Sequence, residues 1–239
     1  MSTQYTTTAA AAHVNGVKCL VYGNAGTGKT MAAATCPAPL LISAENGLLS
    51  LTRRNIERVF GVNTPGIIYD IPVAIIKSVE DLVQVFNDVS NPQFGASLQT
   101  IYLDSLSEIA ETVLAHALNQ TKDGRAAYGD MAEQILDLCR KFRDLPGKHV
   151  VFTSKQGLSS DSGLLGPSLP GRLLDREVPY LFDELFQMAI ADNGQGGSVR
   201  FLRTAPDFKH YAKDRSGMLD PRGEYPSFSN IFAKISAGA

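Results

Sequence analysis

The sequence predicts an α/β fold, a mostly parallel sheet with helices on both faces and an antiparallel C-terminal extension. Short apolar runs alternate with segments of helical spacing along most of the chain, which is the pattern of a covered parallel sheet. A glycine-rich segment at 23–30 separates the first apolar run from an alanine-rich stretch. The last two apolar runs lie close together, which is typical of a hairpin. A length of 239 residues fits one domain with a substantial core.

Each element is predicted from its own pattern. Buried strands are expected where apolar residues run together, at Val17–Tyr22, Leu40–Ile42, Gly66–Ile71, Thr100–Asp104 and His149–Thr153. Helices are expected from alanine content at Met31–Thr35, and from the spacing of apolar residues at Val79–Val89, Leu106–Leu118 and Met131–Phe142. A loop rich in Gly, Ser and Pro follows at 157–171. Glu184–Ile190 and Val199–Thr204 are predicted to form the closing hairpin.

Residues 1–15 are rich in Thr and Ala and carry no charged side chain, so we expect a flexible N-terminal arm followed by a core at 16–239. The net charge of -2 gives no overall basic field for nucleic acid. No apolar run reaches the length of a membrane span, and no signal-peptide pattern opens the chain. We therefore expect no membrane partner. Three widely spaced cysteines (Cys19, Cys36 and Cys139) indicate a reducing, cytoplasmic setting with buried thiols and not a disulfide framework or a zinc site.

The segment Gly23, Asn24, Ala25, Gly26, Thr27, Gly28, Lys29 and Thr30 fits the phosphate-binding pattern G-x-x-x-x-G-K-[ST]. A strand before it and a helix after it would turn backbone N–H groups towards a triphosphate. Lys29 would reach the β- and γ-phosphates, and the Thr30 hydroxyl would bind Mg²⁺. The sequence therefore predicts a site for a nucleotide and Mg²⁺. The alternative is an ordinary glycine turn beside a surface lysine.

Two acidic residues follow predicted strands and are candidates for the same site. Asp104 ends the strand at 100–104 and would hold Mg²⁺. The alternative for Asp104 is a cap on the next helix. Glu45 follows the strand at 40–42 and would polarise the water that attacks the γ-phosphate. The alternative for Glu45 is a solvated loop carboxylate.

These segments resemble those of known ATPases. Ile42–Leu48 is similar to the strand-two segment of the RecA/Rad51 recombinases, in which an Ala-Glu pair supplies the catalytic glutamate, and Ile101–Leu106 resembles their Walker B strand. From about residue 16 to the end, the chain more closely resembles compact phage ATPases of the AAA type. Some of these are single-strand annealing proteins that keep only a RecA-like core. The segments that carry this resemblance are Ala127–Asp130, Gly166–Gly171, Phe182–Phe186 and Lys213–Gly217.

The resemblance implies a RecA-like P-loop NTPase core at 16–239 and further site residues. Lys213–Gly217 resembles the Lys-Asn-Arg-Phe-Gly element of RadA-type relatives, which implies that Lys213 and Arg215 act on the ATP of a neighbouring subunit. Ser154 and Lys155 close the fifth strand, where RecA relatives place a sensor of the γ-phosphate. For all four residues the alternative is an ordinary structural or surface position.

RecA relatives face DNA with the loops after the fourth and fifth strands, which correspond to 119–130 and 155–172 here. The candidate contacts in these loops are Lys122, Arg125, Tyr128, Lys155 and Arg172. The alternatives are a partly buried aromatic for Tyr128 and solubilising charge for the cations.

The resemblance implies an Mg²⁺-dependent ATPase that acts on single-stranded DNA in phage recombination or annealing. It also implies a homo-oligomer, ring or filament, with ATP near the subunit interface, in the cytoplasm of a bacterial host. A single-strand DNA-binding protein is a further candidate partner. Two alternatives are a small-molecule P-loop kinase and a nucleotide-dependent loader with little turnover.

Overall fold

The computed structural model describes residues 5, 7, 16–45, 47–159 and 162–238. The strands are β1 Lys18–Tyr22, β2 Pro39–Ser43, β3 Val73–Ile75, β4 Thr100–Asp104, β5 His149–Leu158, β6 Leu165–Ser168, β7 Glu184–Asp192, β8 Ser198–Arg203 and β9 Lys213–Asp214. The helices are α1 Arg53–Phe60, α2 Val79–Ser90, α3 Pro92–Gly95, α4 Leu106–Gln120, α5 Gly124–Arg143, α6 Arg172–Glu177 and α7 Phe228–Ala237. Short 3-10 helices cover Thr30–Thr35, Leu48–Leu51 and Val178–Leu181.

The main sheet has the strand order β3-β2-β4-β5-β1-β7-β8. Every neighbouring pair from β3 to β7 is parallel, whereas β8 and β9 pair with β7 in the antiparallel sense and β6 extends β5 in the same way. The predicted fold class, with its antiparallel C-terminal extension, is therefore confirmed. Because β2, β4, β5 and β1 are neighbouring parallel strands, their carboxyl ends meet at one edge of the sheet.

β1, β2 and β4 form a buried layer because most of their residues are apolar, as expected for parallel strands covered on both sides. All five residues of β1, β2 and β4 are buried. Alternate residues face opposite sides. Leu20 packs with α2, α4, α5 and α6 in one core cluster. Val21 packs with the first 3-10 helix and α7 in the other. Helices on both faces are thus present, as predicted.

The predicted third strand at Gly66–Ile71 is wrong, because that segment forms a turn and β3 follows it at Val73–Ile75. Gly66 has a φ of 79° and Asn63 a φ of 54°, both in the left-handed region that interrupts a strand. The Tyr69 hydroxyl donates to the Gly61 carbonyl at 2.6 Å and accepts from the Thr64 N–H at 2.7 Å. These bonds hold residues 61–69 in a turn.

Three other elements differ from the sequence prediction, one in its type of helix and two in their bounds. The segment after the glycine loop is a six-residue 3-10 helix and not an α-helix, and Cys36-Pro37 follows it directly. The helix expected at 131–142 begins at Gly124, since the Asp123 carboxylate accepts from the Arg125 N–H at 2.9 Å and caps it. The expected loop at 157–171 contains the β5–β6 pairing.

The predicted N-terminal arm at 1–15 lies outside the described residues except for Tyr5 and Thr7. Over the ranges that are described, no helix has both the length and the apolar character needed to span a bilayer.

Candidate nucleotide site

The glycine-rich loop joins the end of β1 to the first 3-10 helix. Gly26 and Gly28 have φ values of 79° and 107°, which side chains rarely tolerate. The Thr27 hydroxyl donates to the Asn24 carbonyl at 2.9 Å and closes the loop on itself. The sequence pattern therefore specifies this conformation, because glycine stands where the backbone needs it.

Lys29 lies over the loop. Its Nζ donates to the Gly23 carbonyl at 2.7 Å and to the Asn24 carbonyl at 3.2 Å. Burial lowers the pKa of Lys29, and the nearby carboxylates of Asp104 and Glu45 partly oppose that effect. The ammonium group is thus a partly desolvated cation at the mouth of the loop, where it can exchange carbonyl oxygens for phosphate oxygens.

Asp104 is 4% exposed at the end of β4, and both of its oxygens accept hydrogen bonds. Thr30 Oγ1 donates to Oδ2 at 2.5 Å, and Thr153 Oγ1 donates to Oδ1. Burial raises the pKa of Asp104, whereas the bonds from Thr153 and Thr30 act in the opposite direction. The next helix is capped by Ser105, whose hydroxyl accepts from the Glu108 N–H at 3.4 Å, so the capping role considered for Asp104 belongs to its neighbour.

The Thr30 hydroxyl and the Asp104 carboxylate form an oxygen donor set that suits Mg²⁺, which prefers oxygen ligands. The Tyr102 hydroxyl donates to the Lys29 carbonyl at 2.5 Å and ties β4 to the end of the glycine loop. This contact holds the end of the glycine loop beside β4, where the Thr30 and Asp104 side chains meet. The residues present therefore fit the Mg²⁺ ion that the sequence pattern predicts.

Glu45 follows β2 and reaches the same edge. Ser43 and Asp104 are register partners in the β2–β4 pair, so Glu45 comes two residues past the level of Asp104. The Ser105 hydroxyl donates to Glu45 Oε1. A cavity of about 570 Å³ is lined by Glu45 and Lys29, together with Gly23, Asn24, Ala25, Ala44, Glu108, Lys155 and Gln156. Glu45 therefore lies beside the glycine loop, although its side chain is exposed.

Lys155 and Gln156 also line this cavity. The expectation that Ser154 and Lys155 close the fifth strand is wrong, because β5 continues to Leu158 through its pairing with β6. Ser154 is buried and its hydroxyl donates to the Lys155 carbonyl at 3.2 Å. Lys155 lines the cavity and pairs with Glu111 at 2.7 Å and Glu108 at 3.4 Å, and the bond to Glu111 raises its pKa. Two of these residues are thus beside the site, and their role as sensors stays a prediction.

Lys213 and Arg215 lie at the opposite edge of the sheet. Residues 213–214 form β9, which pairs with the first residues of β7, level with the start of β1. Lys213 Nζ donates to the carbonyls of Pro179 at 2.9 Å and Phe182 at 2.5 Å, and burial lowers its pKa. Arg215 pairs with Asp183 at 3.1 Å. The fold therefore does not bring these cations to the nucleotide site of their own chain.

The candidate DNA contacts fall into two places. Lys122, Arg125 and Tyr128 are exposed at the start of α5, so most of the expected loop at 119–130 is helix. A Cβ on Gly171 would come within 3.3 Å of the Tyr128 ring, which places Arg172 close to that ring. Lys155 belongs instead to the wall of the nucleotide cavity.

Several site residues are absent from the sequence prediction. Thr153 and Ser105 are neighbours of predicted residues in sequence, and the parallel register of β4 and β5 could have pointed to Thr153. Arg200 donates from Nε to the Thr27 carbonyl at 3.0 Å. It approaches from a hairpin about 170 positions later, and its sequence surroundings carry no signal of that contact.

Residues 15–216 match the family model AAA_24, which is described as an AAA domain. The chain is similar in structure to the KaiC-like protein PH0186 from the hyperthermophilic archaeon Pyrococcus horikoshii OT3, with a TM-score of 0.46 and 15% identity, over 84% of this chain and 87% of that one. Among curated proteins, no sequence matches the chain.

Proposed function

We propose that this chain, which belongs to the AAA domain family, hydrolyses ATP and acts on single-stranded DNA in phage recombination or annealing. The P-loop supports the first part of this proposal, because it implies nucleotide and Mg²⁺ binding. In this proposal it works as a homo-oligomer in the bacterial cytoplasm, with ATP near a subunit interface. A single-strand DNA-binding protein is a further proposed partner.

The observation that carries the proposal of hydrolysis is the meeting of Lys29, Thr30, Asp104 and Glu45 at one edge of the sheet. A binding module needs the first three residues to hold a nucleotide. Hydrolysis also needs a group that takes a proton from water, and a carboxylate beside the loop supplies it. Bound Mg²⁺ supplies neutralising charge for the phosphate oxygens.

The residues of the chain divide the remaining work. Glu45 accepts a proton from water, whose oxygen bonds to the γ-phosphorus while the bond to the bridging β–γ oxygen breaks. Ser105 holds Glu45 Oε1, so Oε2 is the oxygen that we assign to the water. Lys29 exchanges the loop carbonyl oxygens for oxygens of the β- and γ-phosphates. Thr153 keeps the Asp104 carboxylate oriented.

The subunit interface is supported by the position of Arg215. Its side chain is 56% exposed and, among the described residues, pairs with one carboxylate, Asp183, at the edge opposite the glycine loop. A head-to-tail neighbour would present its nucleotide edge to this surface. Lys213 has two backbone carbonyls as partners, so Arg215 is the more available cation for action in trans.

Binding of single-stranded DNA is supported by the exposed cluster at the start of α5. Tyr128 is 45% exposed beside Gly171, and Arg125, Lys122 and Arg172 are exposed near it in sequence or in space. Aromatic rings stack on bases and cations bind phosphates in this class of site. One subunit offers few contacts, but an oligomer repeats them along a strand.

The experiment measures ATP turnover as protein concentration and single-stranded DNA are varied. We expect the rate per subunit to rise with both. An equal mixture of Glu45→Gln and Arg215→Ala protomers should recover about one quarter of wild-type activity, because about one interface in four combines the intact Glu45 with the intact Arg215. Each variant alone should be inactive.

Three results would contradict parts of this proposal. A rate that is indifferent to concentration and to DNA argues against assembly and DNA action. Failure of the mixture to recover activity argues against Arg215 in trans. Turnover that requires a nucleoside acceptor and yields a phosphorylated product would instead favour a kinase.

A further inference from the structure

The hairpin of β7 and β8 stands directly beside the glycine loop. Tyr22, the last residue of β1, is the register partner of Gln187, so β7 continues for five residues past the point where β1 ends. The Met188 carbonyl oxygen lies 2.5 Å from the position that a Cβ on Gly23 would take. This close contact leaves the hairpin fixed against the start of the loop.

Arg200 projects from this hairpin onto the loop. Its Nε donates to the Thr27 carbonyl at 3.0 Å, and its Cδ and Nε lie 3.0 Å from the position of a Cβ on Gly28. A guanidinium group has five N–H donors. Within the described part of the chain, only the Nε–H of Arg200 has a hydrogen-bond acceptor. The planar end of the side chain is therefore available to a ligand of the loop.

The strand order places Arg200 and the acidic residues on opposite sides of the loop. Asp104 ends β4 and Glu45 follows β2, and both strands lie on one side of β1. Arg200 is on β8, on the other side. The γ-phosphate must lie next to Glu45 for hydrolysis. Because a nucleotide is an extended molecule, its nucleoside end then points towards the hairpin.

We infer that Arg200 binds the nucleoside end of the nucleotide, with its guanidinium plane stacked on the base. Guanidinium groups stack on aromatic faces more readily than ammonium groups, and every base offers such a face. Arg200 is thus a nucleotide-positioning residue that holds the base without selecting it. The inference needs the nucleotide site but neither the oligomer nor DNA.

The test compares ADP with inorganic tripolyphosphate, which has no nucleoside. Calorimetry in Mg²⁺ buffer is run on the wild type, Arg200→Ala, Arg200→Lys and the control Arg222→Ala, whose side chain is 89% exposed and pairs with Asp220. Arg200→Ala should weaken ADP binding about tenfold, and leave tripolyphosphate within about twofold. Arg200→Lys should lose most of the same affinity, because it keeps the charge but not the plane.

Equal losses for ADP and tripolyphosphate would overturn the inference, since Arg200 would then act on the phosphates or on the loop through Thr27. Unchanged ADP affinity in Arg200→Ala would also overturn it. A wild type that binds tripolyphosphate but not ADP would contradict it as well. A wild type that binds neither ligand would refute the nucleotide site itself.

Discussion

Replacing Thr153 with valine should shift the acid limb of ATP hydrolysis to higher pH. Thr153 is fully buried, and its hydroxyl donates to Asp104 Oδ1. Valine has nearly the same shape but no donor. Because the hydrogen bond from Thr153 lowers the pKa of Asp104, its removal raises that pKa. Metal binding needs the ionised carboxylate, so activity should fall at a higher pH than in the wild type.

The size of the shift follows from the contacts of Asp104. A hydrogen bond to a charged group contributes about 1.5–3 kcal/mol, and one pKa unit corresponds to about 1.4 kcal/mol. Thr30 still donates to Oδ2 in the variant, so the lower end of the range applies. We expect a shift of about one pH unit, with a loss of roughly 1–2 kcal/mol in the free energy of unfolding.

The assay is the pH dependence of kcat/KM for Mg-ATP between about pH 5 and 9. Thr204→Val is the matched control, because Thr204 is equally buried and its hydroxyl donates to the Asp220 carbonyl at 2.5 Å, away from the site. The control should lose stability without moving the acid limb. Thr153→Ser should restore the wild-type profile. An unmoved limb in a folded Thr153→Val protein would refute the role assigned to Thr153.

Three further predictions concern buried charge. Burial raises the pKa of Glu184 to about 8 against an ordinary value of 4.5, so the folded state retains a proton that the unfolded state releases. Stability should therefore fall as pH rises from about 4.5 to 8, and Glu184→Gln should remove this dependence in thermal unfolding. Burial also raises the pKa of Asp104, so its ionised form destabilises the folded state at neutral pH. Asp104→Asn should therefore raise the free energy of unfolding in denaturant unfolding, while ATP hydrolysis stops. Lys213→Met should lower the free energy of unfolding, measured in denaturant, by about 1–3 kcal/mol, because two backbone carbonyls lose their donor. Arg215→Ala should lower it by less than about 0.5 kcal/mol, because its ion pair is exposed.

The central sheet could be predicted from the sequence because its signal is local. β1, β2 and β4 are continuous apolar runs, since both faces of each strand are covered. The glycine loop is also predicted from its local sequence, because Gly26 and Gly28 occupy backbone conformations that other residues avoid.

Other features depend on contacts between distant parts of the chain. The apolar residues at 66–71 predict a strand, but Ile71 packs on the second face of the sheet from a turn held by the Tyr69 hydroxyl. The α7 helix covers that same face with Phe228 and Phe232, and the sequence analysis did not predict it. The contact of Arg200 with the glycine loop depends on the pairing of β7 with both β1 and β8, which no local pattern records.

Single-turnover hydrolysis by Glu45→Gln, with Mg-ATP affinity measured on the same protein, tests most directly whether these side chains form one catalytic site. We expect Mg-ATP affinity within about threefold of the wild type and hydrolysis at least about 100-fold slower, because the variant keeps the loop and the metal ligands but loses the proton acceptor. Glu57→Gln, which changes a surface glutamate paired with Arg53, should hydrolyse at the wild-type rate. Hydrolysis at an unchanged rate in Glu45→Gln, or a wild type without affinity for Mg-ATP, would show that these side chains do not form a catalytic nucleotide site.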